Sequence, residues 1–218
     1  MKKIALLSLL MLSLNLHAAE REWTPYKKLI EGLRLDRFYA LPAAERDRVN
    51  LFLKVQPVNK AYKPSDVVLT VVDGNERTPL PALTKDFRLA IGAPNPKWMN
   101  DDARIMTTLP KEDKAAVNYE AVTPLPEGLQ WPYATVMGGV GQMNKAIKKM
   151  AGAMSMFAPS VDVVLFKFDK PAQLKVGAKV YNTNAKNEIA LKPESDLMKA
   201  NPMIVVSERP YEAELRGD

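Results

Sequence analysis

Apolar positions recur along this chain in two rhythms, and the change of rhythm divides it. From Trp23 to Asn50 the residues Tyr26, Leu29, Ile30 and Leu33 fall at helical spacing, and Pro42-Ala43-Ala44-Glu45 places a proline where a helix can begin. After that the period is two. Val49-Asn50-Leu51-Phe52-Leu53-Lys54-Val55 largely alternates, and Val67 to Val72 is a β-branched run closed by the hairpin signal Asp73-Gly74-Asn75. Phe87-Arg88-Leu89-Ala90-Ile91 alternates again before Gly92, Pro94 and Pro96. Ala103 to Thr108 and Ala115 to Val122 are two further strands, the second with Val117, Tyr119 and Ala121 on one face.

Between Tyr133 and Phe157 the period returns to that of a helix. Met137, Val140, Met143, Ile147, Met150, Met154 and Phe157 share one stripe, with Gln142, Lys145, Lys148 and Lys149 opposite. Gly138, Gly139 and Gly141 weaken its beginning, so the regular part is expected from about Gln142, and Pro159 is expected to end it. Strand patterns resume at Val161 to Phe168, Gln173 to Val176, Lys179 to Tyr181 and Glu188 to Leu191. A short helix, Glu194 to Lys199, and a last strand, Met203 to Val206, follow. The charged tail, Tyr211 to Asp218, reads as loose.

These patterns divide the chain into a leader (1–19), an N-terminal helical arm (20–49), a first β-module (50–124), an amphipathic-helix region (125–160), a second β-module (161–210) and the tail (211–218). The two modules share local sequence. Asp66-Val67-Val68-Leu69 recurs as Asp162-Val163-Val164-Leu165, Phe87-Arg88-Leu89 is echoed by Ile189-Ala190-Leu191, and Asn95-Pro96 by Asn201-Pro202. A duplicated unit, about 50–110 and 161–210 with the helix between, is the reading these echoes suggest. The expected fold class is α+β and β-rich: antiparallel β-sandwich-like modules, or one sandwich made from both, with one amphipathic helix packed on them.

The first residues change the setting. Lys2 and Lys3 precede an apolar run, Ile4 to Leu16, and then His17-Ala18-Ala19, the order of a secretory signal peptide with cleavage after Ala18 or Ala19. The run is shorter than the ~20 residues a membrane-spanning helix needs, so the expected location is the periplasm. The formal net charge of +6 falls by the two leader lysines. The remaining basic residues are scattered among acids, which argues against a nucleic-acid partner. Only Lys145, Lys148 and Lys149 are clustered, as a solvated helix face or as a contact for an acidic partner or lipid headgroups. The chain has no cysteine, and its one histidine, His17, lies in the leader. Catalysis by Ser-His-Asp or Cys-His is therefore excluded from the processed chain, as are disulfides and the His and Cys ligands of most zinc and copper sites.

Candidate chemistry is sparse. Gly138-Gly139-Val140-Gly141 lacks the Gly-Lys-Ser/Thr ending of a phosphate loop, and close approach of the helix to a sheet explains its glycines better. The carboxylates Asp101-Asp102 and Glu112-Asp113 sit in expected loops, and a Ser195–Lys199 pair lacks any nucleophile-elbow context. Met143, Ile147, Met150 and Met154 form the stripe that core packing, a hydrophobic partner or Cu(I) would each use, with Trp98 and Trp131 as loop aromatics that either plug the sandwich ends or anchor a ligand. These six are the candidate binding residues. No cofactor is expected.

The sequence of strand, polar Asp- or Asn-bearing turn, alternating strand and Asn-Pro before a last strand resembles small exported proteins of Gram-negative bacteria built from immunoglobulin-like or transthyretin-like β-modules. The resemblance spans most of the chain after the leader, implies a β-sandwich, and carries no functional residues across. The expected function is non-catalytic binding of a protein, peptide or envelope component. The alternatives are a periplasmic inhibitor or immunity-type protein blocking one enzyme, and an envelope hydrolase using carboxylates alone. An exposed apolar patch within Met143 to Met154 would favour the first, a protruding loop at Pro94 to Asp102 the second, and two carboxylates ~5 to 9 Å apart in a cleft the third.

Overall fold

The computed structural model describes residues 20–217; the expected leader and Asp218 lie outside the described residues. β1 (Arg21–Pro25) is followed by two short helices, α1 (Tyr26–Gly32) and α2 (Leu35–Tyr39), and then by β2 (Asn50–Pro57), β3 (Leu69–Asp73), β4 (Glu76–Pro79), β5 (Arg88–Leu89), β6 (Arg104–Thr107) and β7 (Ala115–Val122). The chain then repeats the plan. β8 (Gln130–Pro132) leads into the long helix α3 (Tyr133–Ala151), followed by β9 (Val163–Lys167), β10 (Gln173–Val176), β11 (Lys179–Asn182), β12 (Glu188–Leu191), the short helix α4 (Ser195–Ala200), β13 (Met203–Val206) and β14 (Glu212–Arg216).

Sheet order makes the duplication explicit. One four-stranded sheet runs β1-β6-β3-β4 and its counterpart β8-β13-β10-β11; the other strands of both halves join in one six-stranded sheet, β12-β9-β14-β7-β2-β5. The pairings are antiparallel throughout. The halves meet where β14 pairs with β7 and Leu215 lies opposite Ala121. Matching backbone devices occur in each half. Phe87 and Asn187 both adopt left-handed φ (61° and 58°), and their carbonyls accept from the Val55 and Phe168 N–H groups, both at 2.9 Å. Tyr26 and Tyr133 each follow a proline, and each donates its backbone N–H to the residue before β6 or β13, Ala103 (3.0 Å) or Pro202 (2.8 Å). Each phenol oxygen accepts a backbone N–H at 3.1 Å, from Asn95 or Glu194, where the connection toward the next strand begins to coil.

The α+β, β-rich, sandwich-like class is as expected, but the repeat is longer and differently aligned. It spans 21–122 and 130–216, so α3 belongs to the second copy and does not separate two modules. The shared Asp-Val-Val-Leu strings fall on different strands: Leu69 starts β3, whereas Val163 to Leu165 lie in β9, the counterpart of β2. Leu89 corresponds to Ile189, since they face Leu53 and Phe166. Asn201-Pro202 occupies the place of Asp102-Ala103, as the two tyrosine N–H bonds show. The tail is also corrected: Glu212–Arg216 is a strand between β9 and β7, inside the largest sheet. Its alternation, with Ala213 and Leu215 buried and Glu212 and Glu214 on the other face, explains why a charged segment can occupy that place.

One hydrophobic core serves both halves. Leu51, Leu53 and Val55 of β2 with Val164 and Phe166 of β9 give the inner face of the six-stranded sheet. The four-stranded sheets add Leu69, Val71 and Ile105, and Leu174, Val176 and Ile204. α3 closes the core with Tyr133, Val136, Met137, Val140, Met143, Ala146 and Met150. It is helical from Tyr133, earlier than the glycines suggested. Gly139 lies so close to β2 and the segment after β7 that a Cβ there would collide with the Thr123 hydroxyl and stand 2.9 Å from the Arg48 carbonyl oxygen. Arg48 in turn donates to the Ala134 carbonyl at 2.7 Å and, through its N–H, to Gln142 Oε1 at 2.8 Å. No helix among the described residues is long and apolar enough to cross a membrane.

Candidate binding surface

The methionine stripe does not survive as one surface. Met143 (5 % exposed) and Met150 (8 %) are core residues, and Ile147 is half-buried against the same core. They are corrected from binding to packing positions, because the face they share is the one α3 presents to the sheets. Trp131 is likewise a core residue, its indole N–H donating to the Pro126 carbonyl at 2.8 Å. Trp98 packs edge-on against Tyr26 at 5.3 Å between ring centres, half-buried, as a plug. The loop Pro94–Asp102 does not protrude. Asn100 accepts from the N–H groups of Asp102 and Ala103 and donates to Asp73, and Lys97 pairs with Glu76 at 2.6 Å, so the loop lies folded back on the β3–β4 hairpin.

Met154 is different. α3 ends at Ala151 because Gly152 takes φ 58°, eight residues or so earlier than Pro159 suggests. The chain continues as a 3-10 turn, Gly152–Phe157, in which the helical stripe loses its meaning. Met154, Met156 and Phe157 then stand 62 %, 82 % and 76 % exposed, three large apolar side chains on one short turn. Both feet of the turn are tied. Arg37 donates to the Met150 carbonyl at 3.1 Å, and Asn144 makes a reciprocal pair with Val161, donating to its carbonyl at 2.7 Å and accepting its N–H at 2.9 Å. The exposed side chains are therefore presented by a fixed scaffold. Lys145, Lys148 and Lys149 stand exposed on the adjoining last turns of α3, with no carboxylate partner among the described residues. Part of their role is local, since cations near a helix C-terminus favour its dipole.

The outer face of the six-stranded sheet carries a second concentration of chemistry. Arg88 on β5 lies across the Phe52 ring, 6.0 Å from its centre, and donates to Glu120 on β7 and to both oxygens of Glu212 on β14. Lys54 reaches Glu120 at 2.7 Å, and Lys167 reaches Glu212 at 2.7 Å and Glu214 at 2.5 Å. Burial alone would raise both carboxyls. The hydrogen bonds and charges of Lys54 and Arg88 on Glu120, and of Arg88 and Lys167 on Glu212, outweigh it and hold both below the ordinary carboxylate value. Two ionised carboxylates clamped on one guanidinium are the reverse of a general acid, whose pKa must be raised. The arrangement is a clasp across the junction of the halves.

A cleft of about 530 Å³ beside the clasp is lined by Phe52, Arg88, Thr123, Leu125, Arg209 and Tyr211. Arg209 donates to the Pro126 and Gly128 carbonyls at 2.7 and 3.0 Å and stacks over Trp131, which pins the connection between the halves. Among the described residues no group of His, Cys, Asp and Glu side chains is placed to hold a metal ion. Sequence reasoning missed the clasp because its charges lie on five strands far apart in the chain, and it missed the turn because helical spacing was carried past Gly152. No protein-family model, curated protein or solved structure matches the chain.

Proposed function

We propose that this is a non-catalytic protein exported to the periplasm, which binds a component of the cell envelope through the turn Gly152–Phe157. One observation carries the reading: Met154, Met156 and Phe157 are exposed together on a turn tethered at both ends. Exposed apolar residues scattered singly need no explanation, whereas three on six consecutive positions mark a contact surface. Burying each is worth roughly 1.5 to 3 kcal/mol to a partner. The leader pattern supports the location.

The test is co-sedimentation of the protein with isolated cell envelopes. Met156→Asp/Phe157→Asp should weaken retention at least about tenfold, since each lost burial corresponds to that factor or more, and should leave the melting temperature unchanged. Retention equal to that of the wild type would show that the turn is not the binding surface.

A further inference from the structure

Resting on that reading, we propose that the component engaged by the turn is the face of an anionic lipid bilayer. Charge gives the first reason. Between Glu127 and Asp162 the chain contains no acidic residue, and Lys145, Lys148 and Lys149 stand exposed and unpaired among the described residues immediately before the turn. Arg37 adds a fourth cation at the same end of α3, on the Met150 carbonyl. A surface of phosphate-bearing headgroups complements a patch of one sign; a protein surface of mixed charge does not.

Size and shape give the second. Three side chains on a projecting six-residue turn cannot supply the ~800 Å² per partner of a standard protein interface. A cavity lined by the turn and α3 together, beside Asn144, Ile147 and Ser155, is small, about 160 Å³, and is no groove for a partner chain. A bilayer needs neither area nor groove. A few apolar side chains enter the headgroup boundary while neighbouring lysines stay with the phosphates. Met and Phe suit that task, being long or flat and tolerant of a disordered acyl environment. The hydrogen bonds of Arg37 and Asn144 hold the turn in the presenting shape, so little ordering is required on contact.

Sedimentation with phosphatidylcholine vesicles, alone and with roughly a third phosphatidylglycerol, tests this. We expect binding to the anionic vesicles only, reduced by added salt, and weakened about fivefold for each lysine neutralised, on the order of a hundredfold for Lys145→Gln/Lys148→Gln/Lys149→Gln. The three substitutions are on exposed positions, and a cooperative melting transition lowered by no more than a few degrees, the share their charges contribute at the helix end, confirms that the variant is folded. Anionic vesicles that fail to retain the protein, or that retain the triple variant as well as the wild type, overturn the lipid assignment. If Met156→Asp/Phe157→Asp still releases such a protein from cell envelopes, the binding turn stands and its partner is not lipid. If that variant has no effect on envelopes either, the turn falls as well.

Discussion

Gly139 and Gly141 lie two positions apart on α3 and meet opposite surroundings. A methyl group on Gly139 would meet Thr123 and the Arg48 backbone, whereas one on Gly141 would meet nothing within 4 Å. Gly139→Ala should therefore cost about 1 to 3 kcal/mol through overpacking against atoms that cannot withdraw. Gly141→Ala should stabilise by up to about 1 kcal/mol, the ordinary gain of replacing an exposed helical glycine. Denaturant unfolding of both variants checks the pair; equal effects would mean that α3 does not sit so close to β2. The same residues show what the sequence makes legible. The close packing expected of these glycines holds at Gly139 and fails at Gly141, and the difference depends on Arg48 and Thr123, to which no local spacing points. Met154 makes the complementary case, since it shares a period with Met143 and Met150 yet lies beyond the glycine that ends the helix.

The elements written most plainly are those whose pattern and punctuation agree. The β3–β4 hairpin follows from Asp73-Gly74-Asn75, and Gly74 does take the left-handed φ, 59°, that such a turn requires. α3 follows from its apolar stripe. β14 is written less plainly, because three of its five residues are charged and the partners of its two glutamates, Arg88 and Lys167, lie elsewhere in the chain. The consequence is sharp. Deleting residues 211–218 should abolish cooperative thermal unfolding, since β14 fills the place between β9 and β7 and holds the halves together. A loose tail could be removed without loss, and a truncated protein that melts like the wild type would refute the placement. The repeat was partly legible, through its turn chemistry. Its register was not, because equivalent positions share backbone shape and not side chain: Phe87 matches Asn187, and Arg88 matches Glu188. The better signal was Pro25-Tyr26 and Pro132-Tyr133, which open the first helix of each half.

For the whole molecule, the two halves are joined by the β7–β14 pairing and by the Arg88 clasp on one face of the same sheet. Glu120 and Glu212 are held below the ordinary carboxylate value in the fold, whereas in the unfolded chain they titrate near it. Their contribution is thus complete above that ordinary value and is lost as the pH falls through the lower folded values. We expect stability toward denaturant to decline with acid in that range, and Arg88→Ala to remove about 3 kcal/mol at neutral pH and to flatten the decline. A variant with unaltered acid sensitivity would show that the clasp is not what shifts these carboxyls. The proposed function depends instead on the turn after α3, where three large apolar side chains stand exposed.

The most direct measurement of that claim exploits a chain without cysteine. Met156→Cys gives a single thiol for an environment-sensitive fluorophore at the turn, and Val58→Cys gives a control at a remote site that is 68 % exposed. On addition of isolated cell envelopes, the probe at position 156 should brighten and shift to the blue while the probe at position 58 stays as it was in buffer. A probe at 156 that does not respond, or one that responds no more than the control, would contradict the assignment of Gly152–Phe157 as the surface through which this protein works.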